Sequence, residues 1–544
     1  MKNSKKILVC LLAVVMIMAS LCACGGNEDK SGAGSADTNE GADTNSSADT
    51  DNSAASSDAP TDTGSEDIPE FHIIAKLNPA TEDLNENPFY QKLSEEAGIK
   101  ITYECIASGW SDKKAALLAS NDLPDAFIGW NVLSNAEVTS NSSMFANLEE
   151  LITEENTPNL KAFMDSNDYY RSVVTEMDGG IYFLTDQTLF RPATYTTLMM
   201  NSEWLRKLNL EAPTTVDEFE EVLTAFKNQD PNGNGEADEI PAYVASSVIL
   251  RGAYGVQGSL AHDQLAVKDG KIVFLPTTEG WKEYAKKSHE FCEKGLFSEE
   301  ALTATWDQMS ARMGSEIPTV GYAECWIKDP INVEYQDQYD AILPLKGPNG
   351  DQYIAGDKQY SMYDGVPKFV MSADCENKEA LMRWVDSLFV PLNSLQLQNG
   401  PIGLTLSEGE DGKLVVNDPP EGMDWDTWNY KYSMPGSIPS AGGEEIESMI
   451  EPPAITALKL EIDEAYAPYV DSEATVPSLK FTTEEREELS LIWTDVTSYA
   501  DTSFADWFIN GGVDEAWDSY CAEFENMGLS RALEIYQAAY DRVK

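Results

Sequence analysis

A loop between residues 227 and 241 concentrates side-chain oxygens that could bind a cation. In the segment KNQDPNGNGEADEIP these oxygens stand at loop positions 1, 3, 5, 9 and 10: Asp230, Asn232, Asn234, Asp238 and Glu239. Glu236 at position 7 offers its backbone carbonyl, and Gly235 at position 6 permits a sharp turn. The spacing is close to that of the calcium-binding loop D-x-[DN]-x-[DN]-G.

The loop departs from that pattern at position 12, where Pro241 replaces the bidentate glutamate. Asp238 or Glu239 would therefore have to complete the coordination shell. Oxygen ligands without a neighbouring His or Cys favour Ca²⁺ over Zn²⁺ or Mg²⁺. The alternative interpretation is a solvated loop of Asx turns, which Asn-Gly repeats often form.

Several aromatic residues are candidates for sugar binding, because their rings stack on the C–H faces of sugars. Trp110, Trp130 and Trp326 stand at or beyond the ends of predicted strands, where open α/β sheets bind ligands. Four further candidates are Trp425 and Trp428, in a segment predicted as a loop, and Tyr182 and Tyr360. The alternative for any tryptophan is a core position, which helical periodicity predicts for Trp204, Trp281, Trp384 and Trp517.

Residues for enzyme chemistry are few. His72, His262 and His289 lack zinc-ligand spacing, and the chain has neither G-x-S-x-G nor a P-loop. With 93 acidic residues, a carboxylate pair for glycoside hydrolysis stays open. We predict a binding protein, with a secreted calcium-stabilised glycoside hydrolase as the enzyme alternative. An adhesin or scaffold with a dockerin-like contact would need two calcium loops, and the sequence contains one.

The elements that would position these residues alternate between short apolar runs and amphipathic helical patterns, which is typical of an α/β architecture. Strands are predicted at 71–75, at 100–105 and within 123–130, with helices at 87–98 and 113–119 between them. A helix over 213–227 has a capping box formed by Thr215 and Glu218 and runs into the acidic loop. Two helices, separated at Gly528, close the chain.

Residues 1–23 have the pattern of a lipoprotein signal peptide. Three lysines precede an apolar stretch of 14 residues, which is short for a transmembrane span. The segment LCACG resembles a bacterial lipobox with Cys24 as the lipidated, palmitate-bearing residue, because Cys22 follows the bulky Leu21. Residues 25–67 contain eleven acidic residues, one lysine and no large hydrophobe. We therefore predict that residues 24–67 form a disordered acidic tether.

The formal net charge of −56 argues against binding of nucleic acid and against docking on anionic lipid. The remaining 68–544 is too long for one hydrophobic core and predicts two lobes or domains. Five cysteines are scattered through it, which favours small buried residues over a disulfide framework. They are Cys105, Cys292, Cys325, Cys375 and Cys521.

Several segments resemble family 1 extracellular solute-binding proteins, namely the LipO-like lipoproteins of Gram-positive bacteria and the related alginate-binding proteins. The most characteristic segment is LMMNSEWLRKLNLEAPTTVDEFEEVLTAFKNQDPNGNGEADEIP. The others are LLASNDLPDAFI, LPLKGPNGDQY, ENKEALMRWVDSLF, NGPIGLTL and the C-terminal DEAWDSYCAEFENMGLSRALEIYQAAYDRV. Together they extend over nearly the whole chain after residue 68.

The resemblance implies an α/β, two-lobed fold like that of type II periplasmic binding proteins, with a hinge and an interlobe ligand cleft. The N-terminal lobe would comprise 68–190 plus about 345–410, and the C-terminal lobe about 191–344 plus 411–544. It also implies a structural calcium ion, distant from the ligand. The residues matching its ligands are Asp230, Asn232, Asn234, Glu236, Asp238 and Glu239.

The function implied by the resemblance is that of the substrate-binding lipoprotein of an ABC importer. The protein would be a monomer, anchored by lipid at the extracellular face of the membrane of a Gram-positive bacterium. Its partners would be the permease subunits, and its ligand a carbohydrate, in particular an oligosaccharide. A peptide ligand is the main alternative.

Overall fold

The computed structural model describes residues 68–544, apart from 261, 329, 364, 410 and 424. The predicted signal peptide, Cys24 and the acidic tether lie outside the described residues. The described residues form one compact unit. Among its described residues, no helix combines the length and the apolar character needed to cross a membrane.

Strands and helices alternate in the first part of this unit, as the periodicity predicts. The elements are β1 (Glu70–Lys76), α1 (Pro88–Glu96), β2 (Lys100–Ile106), α2 (Trp110–Ser120), β3 (Ala126–Ile128), α3 (Asn135–Ser140), α4 (Pro158–Asp165) and α5 (Asp168–Val174). β1 pairs in parallel with both β2 and β3. The carboxyl ends of these three strands therefore share one edge of the sheet, and Trp110 and Trp130 follow two of them.

The second part of the chain builds a second sheet. Its elements are β4 (Thr197–Asn201), α6 (Ser202–Leu208), α7 (Val216–Asn228), β5 (Ile240–Ala242), α8 (Val248–Ala253), β6 (Leu265–Lys268), β7 (Lys271–Phe274), α9 (Glu279–Glu293), α10 (Trp306–Met313), β8 (Val320–Cys325) and β9 (Tyr339–Ala341). The strand order is β5–β8–β4–β9, with β5 parallel to β8 and β4 antiparallel to both of its neighbours. Trp326 directly follows β8.

The last part of the chain returns to the first sheet and then adds long helices to the second. Its elements are α11 (Lys358–Tyr363), β10 (Phe369–Met371), α12 (Lys378–Leu388), α13 (Pro391–Asn399), β11 (Leu406–Glu408), β12 (Leu414–Val416), α14 (Trp425–Tyr432), α15 (Glu444–Glu447), α16 (Ala454–Tyr466), α17 (Thr483–Asn510), α18 (Val513–Met527) and α19 (Leu529–Val543). β10 pairs antiparallel with β3 and completes the order β10–β3–β1–β2.

Two large hydrophobic cores, one around each sheet, define two lobes. The first core takes its buried residues from 71–189 and 363–450. The second takes them from 198–354 and 462–539. The chain therefore passes between the lobes near residues 190–197, 355–362 and 451–461.

The lobe boundaries given by these two cores differ from those that we predicted at about 345 and 411. Leu345 and Ile354 are buried in the second core, so the chain crosses back to the first lobe only after residue 354. Met434 and Ile450 are buried in the first core, so the segment 411–450 belongs to the N-terminal lobe. Periodicity identifies apolar faces but does not tell which of two cores a short segment joins.

Several local predictions are confirmed. Thr215 and Glu218 form the capping box of α7, and the large apolar residues of this helix are buried. Gly528, with φ of 94°, separates the last two helices. Three of the five cysteines, Cys292, Cys325 and Cys375, are buried. The segment containing Trp425 and Trp428 is different from the prediction, because it forms the helix α14 instead of a loop.

Candidate functional site

The acidic loop between α7 and β5 is a compact turn system. Asp230, with φ of 46°, accepts hydrogen bonds from the backbone of Gly233 at 2.9 Å and Gly235 at 3.1 Å. The amide of Asn232 donates to Asp238 Oδ1 at 2.9 Å, and the amide of Asn234 donates to both oxygens of Asp238. The side-chain amides of Asn232 and Asn234 therefore lie around the carboxylate of Asp238. Asx turns are expected both in a calcium-binding loop and in a solvated loop, so they do not distinguish the two interpretations.

Glu239 supports the cation interpretation. Its Oε1 atom is buried and has no hydrogen-bond partner, which is costly for a carboxylate. Burial, followed by the charges of Asp230 and Asp238, raises the pKa of Glu239. A cation in the loop would supply the missing partner and offset the repulsion, so the residues present fit a hard, oxygen-binding ion. Within the described part of the chain, no three His, Cys, Asp or Glu side chains lie together so that they alone could hold a metal ion. A cation in the loop would therefore also need the side chains of Asn232 and Asn234 as ligands.

Trp326 lies at the centre of a cluster of aromatic and cationic side chains. Its ring centroid is 5.6 Å from that of Tyr195 in an edge-to-face arrangement. The guanidinium of Arg191 lies 5.2 Å from the Trp326 ring centroid and 5.7 Å from that of Tyr195. The Nζ atom of Lys459 lies 4.8 Å from the Trp326 ring centroid. Such contacts fix the orientation of a half-buried indole.

Elements of the second lobe hold the end of β8, from which Trp326 projects. The carboxylate of Glu324 accepts hydrogen bonds from Ser247 Oγ at 2.9 Å and from the backbone of Val248 and Ile249 at 2.8 and 3.0 Å. Tyr322 donates a further one at 3.0 Å. Burial nevertheless raises the pKa of Glu324. This carboxylate joins the start of α8 to β8 and stabilises the neighbourhood of Trp326.

Trp130 is the most exposed of the predicted aromatic residues. Trp130 lies two residues beyond β3, and 51% of its surface is exposed. Lys76 is the last residue of β1 and donates a hydrogen bond to the Trp130 carbonyl at 2.9 Å. The Nζ atom of Lys76 also lies 5.3 Å from the centroid of the Trp130 indole. Burial and the nearby Lys114 lower the pKa of Lys76. The contact positions an accessible indole at the carboxyl edge of the first sheet.

The other predicted aromatic residues have less accessible rings or partners of their own. Trp110 is 8% exposed and donates its indole N–H to the Val132 carbonyl at 2.8 Å. Trp428 is 9% exposed and donates to the Asn417 carbonyl at 3.1 Å. Tyr182 donates to Asp178 at 2.7 Å, a bond that raises its pKa to about 12. Trp425 and Tyr360 are half-buried. The assignment of all these residues to a ligand site stays a prediction.

The passage near residue 190 places Arg191 beside Trp326. Phe190 has a φ of 52°, which is uncommon for a residue of this type, and its N–H donates to Glu447 at 2.7 Å. Asp463 accepts from the backbone of Ala193 and Thr194 at 2.9 and 2.8 Å. Arg191 and Lys459 could not be identified from the sequence, since no motif or periodicity relates either residue to Trp326.

A cavity of about 1020 Å³ adjoins the passages between the lobes. Its lining includes Tyr169 of the first lobe and Lys268 and Val470 of the second. Neither Trp130 nor Trp326 lines it. The volume of a cavity alone does not indicate what it binds, whereas aromatic side chains offer faces on which sugar rings stack.

Comparisons with known proteins cover both lobes. A family model described as bacterial extracellular solute-binding protein matches residues 89–387. The fructooligosaccharide ABC transporter substrate-binding protein FusA of Streptococcus pneumoniae is 30% identical over 490 residues, covering 85% of this chain and 88% of that protein. Lipoprotein LipO of Bacillus subtilis is 23% identical over 339 residues, covering 59% and 64% respectively.

Solved structures of solute-binding proteins match the fold of this chain. FusA in complex with kestose matches with a TM-score of 0.77 at 28% identity, covering 87% of this chain and 99% of that one. An EF-hand mutant of FusA in complex with fructo-nystose matches with the same TM-score and identity. An HMO-binding, ABC-transporter-associated protein of Bifidobacterium longum infantis has a TM-score of 0.79 at 22% identity, covering 88% and 99%, which shows the fold alone.

Proposed function

The chain belongs to the bacterial extracellular solute-binding proteins, and we propose that it captures an oligosaccharide between its two lobes and delivers it to an ABC importer. The solved relatives confirm the α/β, two-lobed fold. The chain is a carbohydrate-binding transport protein and not an enzyme, as we predicted. The observation that carries this conclusion is the 30% identity to FusA, which extends over 85% of the chain.

We infer that the ligand is an oligosaccharide of the size class of kestose, which FusA binds in a solved complex. Trp130 of the first lobe and Trp326 of the second would contribute the aromatic faces on which sugar rings stack. Trp110, Trp425, Trp428, Tyr182 and Tyr360 remain proposed contributors of lower accessibility. Closure of the lobes on the ligand would exclude water and strengthen the polar contacts.

Titration calorimetry against kestose, nystose and a panel of short peptides tests this proposal. We expect saturable binding of an oligosaccharide, which is recovered chemically unchanged. Binding of peptides alone would identify a peptide importer, and cleavage of the sugar would identify a glycoside hydrolase. Either result would contradict the proposed function.

We further propose that the loop containing Asp230 and Glu239 binds a structural Ca²⁺. The orphaned Oε1 atom of Glu239 supports this assignment, and so does the existence of an EF-hand in FusA. The proposed ligands are the side chains of Asp230, Asn232, Asn234, Asp238 and Glu239 and the backbone carbonyl of Glu236. The ion would hold the end of α7 to β5, which pairs with the strand that ends before Trp326.

The family places the protein outside the cytoplasm. We propose that Cys24 carries the lipid anchor at the extracellular face of the membrane, that the source is a Gram-positive bacterium, and that the protein is a monomer. The lipobox-like segment LCACG and the likeness to lipoprotein LipO support the anchor. The permease subunits of the importer would be the partners.

A further inference from the structure

Arg191 lies where the chain passes from the first lobe to the second. The last buried residue of the first core before it is Leu189, and the first of the second core after it is Leu198. Lys358, on the returning passage, donates a hydrogen bond to the Arg191 carbonyl. The backbone of Arg191 is therefore held at the junction of the two lobes, while its side chain reaches Trp326.

The side chain of Arg191 is oriented by aromatic rings but is left short of hydrogen-bond partners. Its guanidinium contacts the rings of Tyr195 and Trp326, at 5.7 and 5.2 Å from their centroids. Its Nε atom is buried and makes no hydrogen bond. No hydrogen bond or ion pair within the described residues engages its two Nη atoms, which therefore keep their donors for an acceptor from outside the protein.

Lys459, the other cation at Trp326, differs in this respect. It is 1% exposed, and its Nζ atom donates to Thr197 Oγ1 at 2.8 Å and to the Tyr195 carbonyl at 3.1 Å. Its hydrogen bonds to the protein explain its position without a ligand. The position of the Arg191 side chain, by contrast, is explained only by its two ring contacts.

We propose that Arg191 is a ligand-contacting residue whose guanidinium donates hydrogen bonds to two adjacent oxygens of the sugar unit that stacks on Trp326. This inference rests on the proposed function. A guanidinium presents its donors in a rigid planar fork, which suits a pair of neighbouring acceptors, whereas an ammonium group is a point charge without that geometry. Vicinal hydroxyls of a neutral sugar and the carboxylate of a uronate both offer such a pair.

The test compares Arg191→Lys with wild type by titration calorimetry of the full chain, with kestose as the neutral probe and trigalacturonate as the acidic one. The substitution retains the cation beside Trp326 but removes the fork. We expect the affinity for the bound probe to fall about tenfold or more, in keeping with loss of a charged hydrogen bond. Arg206→Lys is the matched control, because Arg206 pairs with Glu203 on the exposed side of α6. It should bind like wild type.

The probe that binds identifies the oxygen pair as hydroxyls or as a carboxylate. If Arg191→Lys binds like wild type while Trp326→Ala loses affinity, the Arg191 assignment is overturned and the proposed function stands. If wild type binds neither probe, both fail. Should Arg191→Lys lack a cooperative melting transition, Arg191→Gln replaces it. A double substitution with Trp326→Ala should be non-additive, since both residues would act on one sugar unit.

Discussion

Replacing Glu239 by Gln should have opposite effects with and without calcium. In chelator, the substitution removes a carboxylate that burial and two neighbouring acids disfavour, so the variant should be as stable as wild type or more stable. In calcium, it removes a ligand charge, so wild type should be the more stable protein. A purely structural role in an Asx-turn loop predicts no such reversal.

The size of the effect follows from mass action. Calcium at about 100 times its dissociation constant stabilises a one-site protein by about 2.7 kcal/mol. For a lobe of roughly 250 residues this corresponds to a rise in melting temperature of about 5 °C. If loss of the carboxylate weakens binding about 100-fold, the same calcium concentration stabilises the variant by only about 0.4 kcal/mol, or under about 1 °C.

Differential scanning calorimetry in calcium and in chelator measures both temperatures for each protein. Glu236→Gln is the matched control, because Glu236 lies in the same loop and would contribute only its backbone carbonyl. It should retain the full response to calcium. Identical melting curves for wild type with and without chelator would refute the calcium assignment, and an equal loss in Glu236→Gln would refute the role given to Glu239.

Three further predictions concern the aromatic site, the anchor and the loop. Trp326→Ala and Trp130→Ala should each weaken oligosaccharide binding by about 1–3 kcal/mol without loss of cooperative melting, as measured by calorimetry; unchanged affinity in both would place the site elsewhere. Cys24→Ala should abolish incorporation of labelled palmitate and leave an unprocessed precursor, whereas persistent labelling would contradict the lipobox. Because the pKa of Glu239 is raised in the folded protein, its protonated form is favoured there. Its contribution to the stability of the calcium-free protein should therefore be present in acid and be lost as the pH rises through that raised pKa, and calcium affinity should fall as the pH decreases through it. Denaturant titrations of wild type and Glu239→Gln across pH 4–7 isolate this difference, and parallel curves would contradict it.

Local features of this fold could be predicted from the sequence because they depend on short-range chemistry. Thr215 and Glu218 stand three residues apart, so the start of α7 can be recognised without knowing any contact with distant segments. Gly528 marks the end of a helix in the same way. Trp204 and Trp384 lie on apolar helical faces and are buried, as periodicity indicates.

Features that depend on contacts between distant segments could not be predicted in this way. Trp428 lies in a segment rich in polar and turn-forming residues, yet it is 9% exposed because its helix packs beside the segment containing Asn417. The contact between Arg191 and Trp326 joins residues far apart in the chain, and no pattern in either segment indicates it. The predicted lobe boundaries at about 345 and 411 were wrong for the same reason, because only contacts between distant segments decide which core a short segment joins.

The central claim is that this chain binds an oligosaccharide between its lobes and releases it unchanged. Titration calorimetry of the purified protein with kestose, followed by chromatography of the recovered sugar, tests it most directly. We predict saturable binding of one sugar molecule per protein and recovery of intact kestose. Saturable binding of short peptides with no heat from kestose or nystose, or recovery of hydrolysed sugar, would contradict the claim.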